Sequence, residues 1–249
     1  MSNQLYAFLA ILISSLISFS GASILFIKPK VLNQVSHLLV SFAVGSLLGD
    51  AFIHLLPESY SQIPSQLNVS ILILTGMLIF FSLEKILRWH HCHDPDCQES
   101  SGNHFVPLNL VGDLVHNFID GMLISASFAV SINLGIATSL AVIFHEIPQE
   151  IGDFGVFIHG GLTPLKALKL NFLSSLSSIL GMLTVLLLGS QTNFSLMLLP
   201  LTAGGFIYLA ASDLIPELHT HDTQPSTTIS QIIFMVLGIS LMIALTFLE

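Results

Sequence analysis

Residues 134–159 read LGIATSLAVIFHEIPQEIGDFGVFIH, an apolar stretch long enough to cross a bilayer yet broken by His145-Glu146-Ile147-Pro148-Gln149-Glu150. The stretch before it, 107–130, is broken in the same way by His116-Asn117-Phe118-Ile119-Asp120-Gly121. A carboxylate at mid-depth in a spanning helix costs roughly 3 kcal/mol on insertion scales, so such residues mark an ion path, a proton relay or a cofactor. Imidazole, amide and carboxylate at one-turn spacing are hard and borderline metal ligands.

The rest of the chain agrees with a membrane setting. Of its 249 residues 53% are hydrophobic and 8% charged, with mean hydropathy +0.85; a soluble domain carries about 25% charged residues. A span needs about 20 apolar residues. Runs of that kind fall near 4–27, 36–56, 69–89, 107–130, 134–159, 165–188, 195–218 and 229–248. The expected fold is therefore all-α: a polytopic bundle of eight transmembrane helices forming one domain, 1–249. The first run has no charged leader and no obvious cleavage site, so it reads as a helix that stays.

All six basic residues, Lys28, Lys30, Lys85, Arg88, Lys166 and Lys169, fall on one side of an eight-span chain. The positive-inside rule then places both termini outside, extracellular or periplasmic. A net charge of −9 excludes nucleic acid as a partner. Two cytoplasmic loops are expected, 90–106 and 219–230. The first holds His90, His91, Cys92, His93, Asp94, Cys97 and His104, and the second His219, His221 and Asp222. Both are as readily incidental as metal-binding, and the two cysteines, on the cytosolic side, should be reduced.

A faint internal symmetry accompanies this layout. Leu55-Leu56-Pro57-Glu58 closes the second span and Leu214-Ile215-Pro216-Glu217 the seventh. These spans run in opposite directions, as do the fourth and fifth. The pattern is compatible with inverted repeats relating helices 1–3 to 6–8 and helix 4 to 5, an arrangement that places transporter sites at the midplane.

On a helix, i and i+4 share a face. His116 and Asp120 project together, with Asn117 beside them and Gly121 leaving room for a close neighbour. His145, Gln149 and Asp153 form one row on the next helix, and Glu146 and Glu150 a second. Facing rows of this kind hold one divalent ion, or two bridged by Asp120. Pro148 leaves the Phe144 carbonyl without its helical partner and should kink the helix. A structural zinc site would favour Cys and His in a closed tetrahedron, whereas this oxygen-rich set suits an ion that must leave again. His145-Glu146 also resembles the start of HExxH, but Gln149 stands where the second His belongs. Asp50, His54 and Asp213, taken singly, read equally well as polar glue between helices. Asp113 is either a vestibule ligand or a helix-start acid, and Glu58 and Glu217 read as interfacial.

At these residues the sequence resembles the ZIP (Zrt/Irt-like) family of divalent metal transporters. HNFIDG at 116–121 and HEIPQEIGDF at 145–154 carry the likeness, the second resembling the HEIPHEIGDF signature of one branch. Gly49-Asp50-Ala51-Phe52-Ile53-His54-Leu55-Leu56-Pro57 is similar to that branch's GDAxxHLxP segment. The resemblance implies uptake of zinc, iron, manganese or related cations into the cytosol through a binuclear site between the fourth and fifth helices. It assigns His116, Asp120, His145, Gln149 and Glu150 to the first metal or its edge, and Asn117, Asp120, Glu146 and Gln149 to the second. His54 would complete or guard the first, Asp50 would line the approach, and Asn171 is a candidate on the sixth span. Gln149 departs from the branch's usual His and should weaken zinc retention in favour of harder ions such as Fe²⁺ or Mn²⁺.

The expected function is thus a divalent cation transporter working by alternating access, not an enzyme, with the metal as cargo and no cofactor. The implied setting is a compact bacterial inner-membrane protein, with the lipid bilayer as partner and a homodimer open. The alternative is a membrane-embedded metal-dependent hydrolase using the same cluster to activate water.

Overall fold

The computed structural model describes residues 3–89, 105–189, 194–219 and 225–248. The His/Cys positions 90–97, with His104, His221 and Asp222, lie outside them. Among the described residues the chain is helical and no strand occurs. Helix α1 (Asn3–Ile17) tightens into a 3₁₀ stretch, Ser18–Leu25. Helix α2 (Pro29–Gly49) passes through a wide π-helical turn, Asp50–Leu55, into α3 (Leu56–Gln62), and α4 (Gln66–Trp89) follows. Next come α5 (Phe105–Val130), α6 (Ile132–His159), α7 (Pro164–Ser175) and α8 (Ser177–Gly189). Helix α9 (Phe194–Tyr208) runs through a second π-helical turn, Leu209–Leu214, into α10 (Ile215–His219), and α11 (Pro225–Leu245) ends the bundle.

Among the described residues six stretches are long and apolar enough to cross a membrane: Asn3–Leu25, Val35–Gln62, Gln66–Lys85, Pro164–Leu188, Phe194–His219 and Thr227–Leu245. Helices α5 and α6 are the longest, at 26 and 28 residues, but carry the acids of the two motifs. Most of the loop expected over 219–230 is shorter in the structure, because α11 already begins at Pro225. A proline at the first helical position gives up an N–H that has no partner there anyway.

The two π-helical turns stand in the same register to a proline. Leu56 N–H donates to the Ala51 carbonyl, five residues back and one residue ahead of Pro57. Ile215 N–H donates to Ala210 in the same way, ahead of Pro216. A widened turn draws the carbonyl four residues back away from the proline ring, which would otherwise clash with it. The LLPE and LIPE echoes therefore share a backbone irregularity as well as letters.

Two sets of helices pack within themselves. Helices α1, α5, α6, α7 and α8 form one, and α2, α3, α4, α9 and α11 the other, with α6 against α2 and α5 against α9 along the seam. In the first set α5 lies so close to α8 that only glycine fits on either side. A Cβ at Gly121 would sit 1.9 Å from the Ser178 carbonyl oxygen, and one at Gly181 2.0 Å from that of Phe118.

Candidate metal site

Helices α5 and α6 form a hairpin whose only intervening residue is Ser131. Ser131 has extended backbone, and its side chain accepts the Leu134 N–H at 3.1 Å, capping α6. Substituting such a cap costs about 1 kcal/mol. The tight reversal fixes the register of the two motifs. His116 lies 15 residues before Ser131 and His145 14 after it; at 1.5 Å per residue the two histidines stand at nearly the same height.

They meet there. His116 Nε2 is 3.2 Å from His145 Nε2, and Asp120 Oδ2 is 3.2 Å from His145 Nε2 and 3.5 Å from His116 Nε2. Glu146 Oε1 is 3.5 Å from His116 Nε2 and 3.9 Å from His145 Nε2. The four ligand atoms lie within 4.8 Å of one another. Around a tetrahedral zinc with bonds of about 2.0–2.2 Å, ligand atoms are about 3.3–3.6 Å apart, so this spacing matches a coordination shell. His145 Nδ1–H donates to the Ala141 carbonyl at 3.0 Å, which leaves the Nε2 lone pair for the site, the usual support of a metal-binding imidazole. Glu146 is 1% exposed, and its Oε1 has no hydrogen-bond partner. A buried oxygen so placed is costly unless something positive comes to it.

The other expected ligands lie around this cage. Asn117 is buried, but its Nδ2 donates to Asp113 Oδ1 at 2.7 Å. Gln149 is half-buried, one turn from His145. Glu150 is buried outside the four-residue group, and half-buried Asp153 accepts from Asn109 at 2.9 Å. Asp50 and His54 lie on the π-helical turn of the opposite helix set. Asp50 is fully buried near Thr138 of α6, while His54 Nε2 reaches the Met242 carbonyl at 3.0 Å. Asn171 is buried on α7 against the Glu150 backbone, Nδ2 to carbonyl, at 3.3 Å. Helix α6 runs unbroken across Pro148.

One network was not foreseen. Asp113 lies in the third turn of α5, so it is no helix-start acid; it is 3% exposed and accepts from Asn117 and from Ser174 Oγ of α7. Ser174 lies three residues after Asn171, on the same helix face, and that spacing was the available signal. Glu58 is half-buried and accepts from Gln62 at 3.0 Å, and Glu217 is exposed.

Gly152 offers a neighbouring control, since a Cβ there would meet nothing within 4 Å. Gly152→Ala is expected to leave zinc binding unchanged and to stabilise α6 by up to about 1 kcal/mol, measured as a small rise in thermal midpoint.

Comparison with known proteins gives the family. The chain matches the family described as ZIP Zinc transporter over residues 2–107 and 90–246. It is 30% identical over 240 residues to zinc transporter YKE4 of Saccharomyces cerevisiae, covering 82% of this chain and 69% of that one. It is 31% identical over 220 residues to zinc transporter ZIP13 of Pongo abelii, with 82% and 65% covered. Zinc transporter SLC39A7 of Rattus norvegicus is 27% identical over 332 residues, with 94% and 71% covered. The chain thus spans about two thirds of the length of these eukaryotic relatives. With both motifs meeting in one cage and the match running nearly end to end, the chain belongs to the ZIP zinc-transporter family.

Proposed function

We propose that this protein carries divalent metal ions, zinc first among them, through the cage formed by His116, Asp120, His145 and Glu146. The observation that carries this reading is the spacing of 3.2–3.9 Å between the two imidazoles and from each imidazole to the two carboxylates, with all four ligand atoms within 4.8 Å of one another. Asn117 and Gln149 stand at its edge, where a second ion bridged by Asp120 would bind. As a member of a transporter family the protein is not an enzyme, and the embedded-hydrolase alternative falls away.

Eight spans follow if α5 and α6 cross as well. Their 26 and 28 residues reach about 39 and 42 Å, more than the roughly 30 Å hydrocarbon core. The one-sided Lys and Arg then place both termini outside, and transport runs toward the cytosol. The matched π-helical turns at 50–55 and 209–214 support an inverted repeat relating helices 1–3 to 6–8. Access alternates as the helix set holding the cage moves against the other, with Asp50 and His54 on the outer approach. The relatives named above are eukaryotic, so the bacterial inner membrane expected from compactness gains no support from them.

Reconstitution in proteoliposomes tests the function: Zn²⁺, and to a graded extent Fe²⁺, Mn²⁺ and Cd²⁺, should enter. Uptake that is absent from folded protein would overturn the reading. Gln149 sets the grading. Gln149→His adds a third imidazole and should tighten zinc on the order of tenfold, about 1.4 kcal/mol, while lowering the share of Mn²⁺ in a competition assay. An unchanged competition profile would remove Gln149 from the coordination sphere.

A further inference from the structure

Among the described residues two ring contacts cross the seam between the helix sets, and they land on adjacent residues of α6. Phe42 of α2 meets Phe144 edge-on, with ring centroids 4.6 Å apart and planes at 74°. Phe206 of α9 meets His145 in the same fashion, at 6.1 Å and 67°. Edge-to-face pairs with centroids about 4.5–7 Å apart are a favoured aromatic geometry. The turn they hold lacks one of its own backbone bonds: Pro148 has no N–H, so the Phe144 carbonyl loses its helical donor.

The two rings stand on fixed backbone. A Cβ at Gly238 of α11 would sit 2.4 Å from the Phe42 carbonyl oxygen, which locks α2 onto α11 at that residue. One at Gly204 would sit 2.1 Å from the Ile73 carbonyl oxygen of α4, and one at Gly205 2.4 Å from the Phe80 ring. Helix α9 is thus wedged against α4 immediately before Phe206, itself 1% exposed. The cage is sealed on that side, since the His145 side chain is 1% exposed against 17% for His116. All four cage ligands lie on α5 and α6, so the ring of Phe206 touches the site without belonging to its coordination shell.

We infer that Phe42 and Phe206 are positioning residues, an aromatic latch that holds the Phe144–His145 turn against the opposite helix set and keeps the cage closed. Motion of one set against the other must part both contacts. The latch therefore governs how often the cage opens, while the four ligands govern how tightly it binds. A contact that favours the closed form of empty and loaded protein alike changes ion entry and exit together and cancels from the dissociation constant. This inference rests on the cage being the zinc site.

The test uses the purified full chain. Metal-free protein is treated with diethyl pyrocarbonate, which acylates imidazole nitrogens, and each histidine is followed by mass spectrometry; exchange of bound zinc is followed with radioactive zinc. Phe42→Leu and Phe206→Leu keep an apolar side chain and remove the ring. In each, His145 modification and zinc exchange should both quicken at least about fivefold, equivalent to about 1 kcal/mol and within the range of one aromatic pair. The zinc dissociation constant should stay within about threefold, and buried His37 of α2 should keep its wild-type modification rate. Unchanged His145 modification or unchanged zinc exchange in both variants overturns the latch. So does a gain at His37 equal to that at His145, or a tenfold loss of zinc affinity, since general loosening would produce either. If one variant does not fold, the other decides. Wild-type protein that binds no zinc would sink the cage, and the His145 modification rates would still decide the latch.

Discussion

His145→Ala is expected to lower zinc uptake by at least about 100-fold, beyond the 10–100-fold typical of losing a supporting residue around a metal. His145 is 2% exposed, is oriented by Ala141, and stands 3.2 Å from both Asp120 and His116. Without it the cage has three ligands, two of them carboxylates with no imidazole between them. The loss should appear in binding before it appears in folding. Zinc at 100 times its dissociation constant stabilises the wild-type chain by about 2.7 kcal/mol, and this thermal shift should disappear in His145→Ala and Asp120→Ala. Wild-type uptake in both variants, with the protein folded, would refute the site. Acidifying the outer solution should slow wild-type uptake, because imidazole and carboxylate must shed protons to bind metal.

The second large effect comes from packing. Gly121→Ala puts a methyl 1.9 Å from the Ser178 carbonyl, against backbone that cannot rotate away. Overpacking costs typically 1–3 kcal/mol, and a backbone obstacle places this change at the upper end, about 3 kcal/mol. Helix α5 must shift away from α8, and Asp120, the preceding residue, shifts with it. The expected result is a lower thermal midpoint together with weaker zinc binding. Gly181→Ala, which meets the Phe118 carbonyl at 2.0 Å from the other side of the same contact, should behave alike. Gly152→Ala should not. A Gly121→Ala protein with wild-type melting would show that α5 and α8 are less closely packed than described.

Much of this was readable from residue types and spacing. Hydropathy located most helices to within a few residues, because lipid demands continuous apolar stretches with internally satisfied backbones, but the run expected over 36–56 fell well short of the helical stretch over 29–62. The pairing of His116/Asp120 with His145/Glu146 followed from helical periodicity and from the rarity of intramembrane acids. Gly121 was read as a close-contact position, but its partner Ser178 lies 57 residues away, and a local pattern names no such neighbour. The same limit applied to Asp113: its role depends on Ser174 of another helix, so position alone left two readings open. The π-helical turns were hidden as well. LLPE and LIPE were visible as an echo, but a proline indicates that a helix must adjust, not how. Asp153 shares a helix row with His145 and Glu150 one with Glu146, but neither falls in the four-residue group, because each lies a turn or more further from the one-residue turn at Ser131.

The central claim is that two imidazoles and two carboxylates from α5 and α6 grip the ion together. X-ray absorption on the full chain loaded with less than one zinc per molecule reads that shell directly. The expected shell is two imidazole nitrogens plus oxygen ligands at about 2.0–2.2 Å, with the imidazole signature lost in His116→Ala/His145→Ala. A shell containing sulfur, or an imidazole signature unaltered in that double variant, would contradict it.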